Sequence, residues 1–220
     1  MKKQLSPTTI NLYRECPKCF WLHMTKEVKR PRGIFPSLPG GIDRVLKAYL
    51  DRFRDDGSMP PFLAGDPLMQ GARLAQIKME IGWTDEKTGW RLYGKLDDCL
   101  EWREKKLFAP LDHKTRGSEP GLDVHPAYQA QLDTYTLLLD KTDRPCGDTG
   151  CLVYYYPNAD GEFSGSIPFT MQVKPVTLNP DAALENFRAA VKCVEGYDMP
   201  ESANSCEYCK FVADREKVKE

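Results

Sequence analysis

The most informative part of this sequence is Gly94-Lys95-Leu96-Asp97-Asp98, followed after a charged turn by Pro110-Leu111-Asp112-His113-Lys114-Thr115. These residues belong to two segments, 91–102 and 107–115, that are rich in apolar and β-favouring side chains. Two such segments separated by only four residues are typical of neighbouring strands. The sequence therefore predicts an antiparallel hairpin with the charged residues 103–106 in its turn.

This hairpin would bring acidic side chains together. If it is centred between Glu104 and Lys105, Asp97 lies directly opposite Asp112, and Lys114 points to the same face. The Cβ atoms of opposed residues are roughly 4.5–5.5 Å apart, where two like charges destabilise a pair of strands. A hard divalent cation with a lysine beside it would compensate for the two carboxylates. The pairing therefore predicts a metal site.

Two alternatives stay open from the pattern alone. The turn contains neither Asn-Gly nor Asp-Gly, so turn chemistry does not fix its length. A shift of the pairing by one residue would put Asp98 in the place of Asp97. The two aspartates and Lys114 could also be solvated charges on the exposed face of a two-sided strand.

Composition limits the class of protein. The 220 residues, 41% hydrophobic and 29% charged, suit one sizeable globular domain. The formal net charge of −1 excludes a strongly basic nucleic-acid coat but permits a local basic groove. No apolar run approaches the roughly 18 residues that a membrane span needs, and no signal-peptide core follows Met1-Lys2-Lys3. We therefore expect a cytoplasmic protein without membrane contact, in a compartment where disulfides are disfavoured.

The order of strands and helices indicates the fold class. A strand at 74–83 would precede the hairpin and complete an antiparallel three-stranded meander. Helices and further strands follow, with strands expected at 151–157 and 164–175 and a helix at 179–196. This order predicts an α/β (α+β) fold in which a central mixed sheet is flanked by helices.

Two predicted helices carry polar side chains of interest. Residues 42–53 have the pattern of an amphipathic helix, with Asp43 at the edge of the apolar stripe. Asp43 could face a cleft beside the core, or could simply favour the helix dipole. The helix predicted at 125–140 places Gln131 and Tyr135 side by side on one face, either buried and paired or lining a polar groove.

Two cysteine pairs, Cys16-x-x-Cys19 and Cys206-x-x-Cys209, have the spacing of metal ligands. Tetrahedral thiolate sites for zinc or for an iron–sulfur cluster commonly use this spacing. One shared site would clasp residues of about 1–35 to residues 197–220 and would make 1–220 a single domain. Two unrelated pairs of reduced thiols are the alternative.

The order and spacing of these motifs resemble the PD-(D/E)XK nuclease superfamily, in its RecB-like branch. That branch includes nuclease domains of bacterial recombination enzymes and the CRISPR-adaptation exonuclease, and the resemblance covers most of the chain. The matching motifs are an amino-terminal helix ending at Cys16-Pro17, the G-x-x-D strand Gly94-Lys95-Leu96-Asp97, the D/E-x-K strand Asp112-His113-Lys114, the Q-x-x-x-Y helix from Gln131 to Tyr135, and the cluster motif Cys206-x-x-Cys209.

The resemblance implies a restriction-endonuclease-like core and a metal-dependent DNA nuclease. The substrate would be DNA ends or single strands, cleaved as by an exonuclease in recombination, repair or CRISPR-type processing. A helicase or a recombination or CRISPR protein would be a possible partner.

The resemblance also implies roles for individual residues. One or two Mg²⁺ or Mn²⁺ ions would be held by Asp43, Asp97, Asp112 and the backbone carbonyl of His113. Lys114 would orient the attacking water, and Gln131 and Tyr135 would anchor either the substrate backbone or the Lys114 strand. A [4Fe–4S] cluster, with Zn²⁺ as the alternative, would be held by Cys16, Cys19, Cys206 and Cys209.

The chain departs from the family pattern in two places. The family usually has a histidine in the helix after the first loop, whereas this chain has Asp43, which still offers an oxygen ligand. The commoner cluster has one amino-terminal and three carboxy-terminal cysteines, so here Cys19 would supply the missing ligand. These departures keep an alternative function open: a non-catalytic module that binds nucleic acid or a partner on a degenerate nuclease fold with a four-cysteine metal site.

Overall fold

The computed structural model describes residues 2–31, 33 and 37–218. Five of the seven α-helices within these residues begin with proline at their first position, where the missing N–H costs no hydrogen bond. None of the helices in these ranges is long and apolar enough to cross a lipid bilayer. The helices are α1 (Pro7–Glu15), α2 (Pro17–Lys26), α3 (Ser37–Asp56), α4 (Pro61–Ala64), α5 (Pro126–Asp140), α6 (Pro180–Glu195) and α7 (Glu207–Lys217).

The strands form two sheets. They are β1 (Gln4–Leu5), β2 (Arg73–Leu74), β3 (Glu80–Thr84), β4 (Arg91–Lys95), β5 (Asp98–Trp102), β6 (Leu107–Thr115), β7 (Thr149–Pro157) and β8 (Phe169–Thr177). One sheet has the order β1-β4-β3 and the other β2-β5-β6-β7-β8. Because β1–β4 and β6–β7 are parallel and the other pairs antiparallel, both sheets are mixed. The predicted α+β fold class, with mixed sheets flanked by helices, is confirmed.

The hairpin of β5 and β6 has the centre that the sequence predicts, since Trp102 pairs with Leu107 and Asp98 with Leu111. The prediction of one continuous strand over 91–102 is wrong. The chain leaves the smaller sheet after β4 and enters the larger one at β5, with Leu96 and Asp97 between them. We call these two residues the strand break.

The strand break has a packing cause. Burial alternates along β4, as expected for a strand with one covered face, and Leu96 then enters the core at 2% exposure. From Asp98 onward three consecutive residues are buried, because β5 is covered on both faces. The expected three-stranded meander is therefore divided between the two sheets, and the segment predicted as one strand at 74–83 is likewise divided between β2 and β3.

Two of the hydrophobic clusters in the described residues position the site. The first joins α1, α2, α5 and α6 to the smaller sheet around Phe20, Trp90, Leu138 and Phe187. The second packs α3 and α4 against β5, β6 and β7. The end of β6, the strand break and the start of α3 thus come together between the two clusters.

Candidate active site and cysteine cluster

The carboxylate of Asp112, on β6, is buried and has few polar partners. It is 1% exposed, and among the described residues neither carboxylate oxygen accepts a hydrogen bond of normal geometry. The ammonium of Lys114 contacts Oδ2 in an ion pair. Burial raises the pKa of Asp112 to about 6; the Lys114 charge opposes the rise and the nearby Asp97 adds to it. A buried carboxylate of this kind is suited to a cation ligand.

Lys114 is held by a chain of hydrogen bonds that leads to the other sheet. Its Nζ donates to Gln131 Oε1 over 3.1 Å and lies 4.7 Å from the centroid of the Tyr128 ring. Gln131 Nε2 donates to the Tyr135 hydroxyl over 2.9 Å, and that hydroxyl donates to the Lys95 carbonyl over 2.8 Å. Gln131 and Tyr135 therefore tie the Lys114 side chain to the end of β4.

Asp97 and Asp43 lie on two other elements and share Lys47 as a partner. Asp97, in the strand break, accepts the His113 backbone N–H at Oδ2 over 3.4 Å. Asp43, near the start of α3, accepts from Lys47 Nζ at Oδ2 over 2.9 Å, and the same Nζ lies 3.5 Å from Asp97 Oδ1. Lys47 thus links Asp43 on α3 to Asp97 in the strand break, and Asp97 lies near Asp112 on β6. These three carboxylates do not lie within 4.8 Å of one another, a distance that among the described residues only the four cysteines treated below satisfy.

Asp98 points elsewhere. Its Oδ1 accepts two hydrogen bonds from Arg54, over 3.0 Å from Nε and 2.6 Å from Nη2. Its Oδ2 lies 3.1 Å from His113 Nε2, and His113 Nδ1 lies 3.0 Å from the Tyr155 hydroxyl. With all its partners supplied by the protein, Asp98 is a buried structural carboxylate, and the hairpin pairing excludes the shift that would exchange it for Asp97. The same contacts fix the orientation of the His113 side chain, which lies between Asp112 and Lys114 in the sequence.

Sequence reasoning missed Lys47, Arg54 and Tyr128. Lys47 follows Asp43 by four residues on α3, a spacing at which opposite charges meet on a helix, so a signal was present. Tyr128 lies three residues before Gln131 on the same predicted helix face, which was also a signal. Arg54 gave no comparable signal, because its partner Asp98 lies on another element.

The two C-x-x-C motifs, one from the amino-terminal part of the chain and one from the carboxy-terminal part, come together in the fold. Their sulfur atoms all lie within 4.8 Å of one another, with Cys19 Sγ 3.6 Å from Cys206 Sγ and 3.5 Å from Cys209 Sγ. Cys16 lies at the junction of α1 and α2, and Cys206 immediately precedes α7. Burial opposes ionisation of Cys16, but hydrogen bonds from the Cys19 and Ala203 backbones outweigh it and lower the pKa to about 7.

The guanidinium group of Arg30 lies beside this cysteine cluster. Arg30 Nη2 lies 3.6 Å from Cys206 Sγ, and Nη1 donates to Glu15 over 2.6 Å. The guanidinium carbon stands 4.8 Å from the centroid of the Tyr208 ring. The four sulfurs form a set of metal-binding atoms that suits a tetrahedral thiolate centre, and the guanidinium beside them offsets negative charge on the thiolates.

The comparison with known families covers most of this site. A family model described as the PD-(D/E)XK nuclease superfamily matches residues 63–213, which is more than half of the chain. The matched range includes Asp97, Asp112, Lys114 and the Gln131 to Tyr135 helix, whereas α1, α2 and α3 precede it. No curated protein matches the chain.

Proposed function

The chain belongs to the PD-(D/E)XK nuclease superfamily, and from that premise we propose that it is a metal-dependent deoxyribonuclease acting on DNA ends or single strands. Nuclease activity with divalent metals is what membership implies, and the DNA substrate is our proposal. The observation that carries it is the buried Asp112 carboxylate, which lies beside Asp97 and has the Lys114 ammonium as its ion-pair partner.

The residues of the site fit a hard divalent cation. Oxygen ligands suit Mg²⁺ and Mn²⁺, and the buried Asp112 carboxylate lies close to Asp97, with Lys114 as its ion-pair partner. We propose that Asp97, Asp112 and the His113 carbonyl hold the ion, with Asp43 as the third acidic group. When bound, the ion lowers the pKa of a water and neutralises charge on the scissile phosphate.

Lys114 is the proposed catalytic cation of the protein itself. Its ammonium has three donors, of which one is directed to Asp112 and one to Gln131. The third would orient the attacking water or stabilise charge on the phosphate in the transition state. The hydrogen bonds of Gln131 and Tyr135 favour their role in anchoring Lys114 over direct contact with the substrate backbone.

The cysteine cluster is proposed to hold a [4Fe–4S] cluster, with Zn²⁺ as the alternative. It would clasp about 1–35 to 197–220 and make 1–220 one domain, as in the RecB-like branch. We propose a cytoplasmic location, where thiols stay reduced. A helicase, recombination protein or CRISPR protein is the proposed partner class, in recombination, repair or CRISPR-type DNA processing.

The test is cleavage of end-labelled single- and double-stranded DNA with Mg²⁺ or Mn²⁺. Asp112→Asn and Lys114→Ala should each lower the rate at least about a hundredfold while circular dichroism shows an unchanged fold. Asp160→Asn and Lys105→Ala, which change exposed residues outside the site, are matched controls and should cleave normally. Cleavage that persists in both site variants would end the assignment. A wild-type chain that binds DNA but never cuts it would support the non-catalytic alternative instead.

A further inference from the structure

We propose that Lys47, held in place by Asp43, is the second cationic group of the active site, and that the site takes a single divalent cation at Asp97 and Asp112. This inference rests on the proposed nuclease function. It adds a substrate-facing residue outside the D/E-x-K motif, and it chooses between one metal ion and two.

The position of Lys47 supports this role. Its Nζ lies 2.9 Å from Asp43 Oδ2 and 3.5 Å from Asp97 Oδ1, so the ammonium lies between α3 and the strand break. Asp43 and Lys47 are one turn apart on the same 20-residue helix, which holds the pair in a fixed relation. The lysine side chain is 43% exposed, leaving donors free to face solvent or a bound phosphate.

The charges of the site favour one metal ion. Asp43, Asp97 and Asp112 carry three negative charges, and Lys47 and Lys114 carry two positive ones, which leaves a net charge of −1. One divalent cation changes this to +1, which matches the single negative charge of a phosphodiester. Two would change it to +3 beside a buried carboxylate and two ammonium groups, and cations at such short distances repel strongly.

The same geometry gives Asp43 a different task from Asp112. The closest partner of Asp43 is Lys47, whereas Asp112 has oxygens that accept no hydrogen bond of normal geometry from any described residue. Asp43 therefore acts as the positioning residue for Lys47, and Lys47 contacts a non-bridging phosphate oxygen of the substrate. In the free protein the Lys47 ammonium also competes with the metal ion for Asp97.

Mn²⁺ titration of the full chain, followed by electron paramagnetic resonance without DNA, tests this inference. The wild type should bind one Mn²⁺ that Asp112→Asn abolishes. Lys47→Met should bind it roughly fivefold more tightly, because an ammonium of this exposure competes only modestly. Lys47→Arg, which keeps the charge, should retain the wild-type affinity. A lysine that did not approach Asp97 in solution would leave the metal affinity unchanged when it is removed, and the KM for DNA separates a phosphate contact from a structural role.

Several results would contradict the inference. Two Mn²⁺ ions per wild-type chain, both lost in Asp112→Asn, would overturn it while leaving the nuclease proposal intact. Unchanged or weaker Mn²⁺ binding in Lys47→Met would also overturn it. Wild-type Mn²⁺ binding in Asp112→Asn would instead count against the metal site of the proposed function. In DNA cleavage at saturating Mn²⁺, Lys47→Met should raise KM for DNA, whereas an unchanged KM would remove the phosphate contact.

Discussion

Gly94 lies directly against the ring of Tyr135: a Cβ atom at Gly94 would stand 2.9 Å from Tyr135 Cε1. The same atom would lie 3.1 Å from Leu138 Cδ1. Because glycine has no side chain, α5 approaches β4 closely enough for the Tyr135 hydroxyl to reach the Lys95 carbonyl. The glycine of one motif thus makes room for the tyrosine of another.

Gly94→Ala should therefore destabilise the fold and weaken cleavage together. Overpacking of this kind costs about 1–3 kcal/mol, and a displaced Tyr135 would release Gln131 and then Lys114. Urea denaturation measures the first effect and DNA cleavage the second. Gly147→Ala is the matched control, since its Cβ would meet nothing within 4 Å. Equal stability of the two variants would show that the contact is unimportant.

Gln131→Met should lower the cleavage rate more than it lowers stability. Lys114 Nζ would lose its 3.1 Å acceptor and would be free to leave the position in which it serves the reaction. We expect about a tenfold lower rate at saturating metal, with KM for DNA nearly unchanged. A raised KM with an unchanged rate would mean that Gln131 contacts the substrate backbone instead.

Tyr135→Phe separates anchoring from packing, because only the hydroxyl is removed. The Lys95 carbonyl and Gln131 Nε2 would each lose a partner, at a cost of about 1–3 kcal/mol in the free energy of unfolding. Thermal or urea denaturation measures this cost. Tyr197→Phe, at a fully exposed tyrosine, provides the comparison and should change nothing.

Cys206→Ala should release the metal of the cysteine cluster and destabilise the chain. Cys19 and Cys206 are 187 residues apart, so a metal that joins them restricts the unfolded chain by a stabilisation on the order of 4 kcal/mol. Elemental analysis measures bound iron or zinc, and visible absorption distinguishes an iron–sulfur cluster from zinc. Cys193→Ala, outside the cluster, should keep its metal. Equal metal content in both variants would rule out the four-cysteine centre.

The Asp85–Arg188 pair should give an acid-dependent contribution to stability. Arg188 donates to Asp85 over 3.0 and 2.7 Å, and these hydrogen bonds hold the pKa of Asp85 below its ordinary value of 3.8 in spite of burial. A lowered carboxyl pKa stabilises the fold above the unfolded-state value, and that stabilisation disappears as the pH falls through the folded-state value.

Asp85→Asn should therefore be less stable than the wild type at neutral pH, with a difference that shrinks below about pH 4. Urea denaturation between about pH 5 and about pH 2 follows the change. The exposed Asp198→Asn should show no such trend. A difference that stays constant over this range would mean that the Asp85 charge does not contribute.

Much of the fold followed from local patterns. The centre of the β5–β6 hairpin, the helix at α5 and the convergence of the four cysteines depend on turn spacing, helical periodicity and ligand spacing, which the sequence displays directly. The strand break did not follow, because each half of residues 91–102 is a good strand by itself. Only packing on both faces of β5 reveals that Asp98 and Asp97 serve different neighbours.

The sequence predicted Asp97 as an acidic residue of the site. It did not predict the partners of the site residues, because these come from distant elements. Arg54 donates a hydrogen bond to Asp98, which is 44 residues away in the sequence. Lys114 on β6 donates to Gln131 on α5, which is 17 residues away. Contacts of this kind, between residues on different elements, produce no periodic pattern in a single sequence. Lys47 is the exception, since its spacing from Asp43 could have been read as a helical ion pair.

The strand break also has a mechanical consequence. Asp112 lies within the five-stranded sheet, whereas Asp97 lies at the joint between that sheet and the smaller one. A slight rocking of one sheet against the other would therefore change the gap between the two carboxylates without deforming either sheet. Helix α5 touches β3, β4 and β6 and so braces this joint, which makes the stiffness of one helix a determinant of the distance between the two carboxylates.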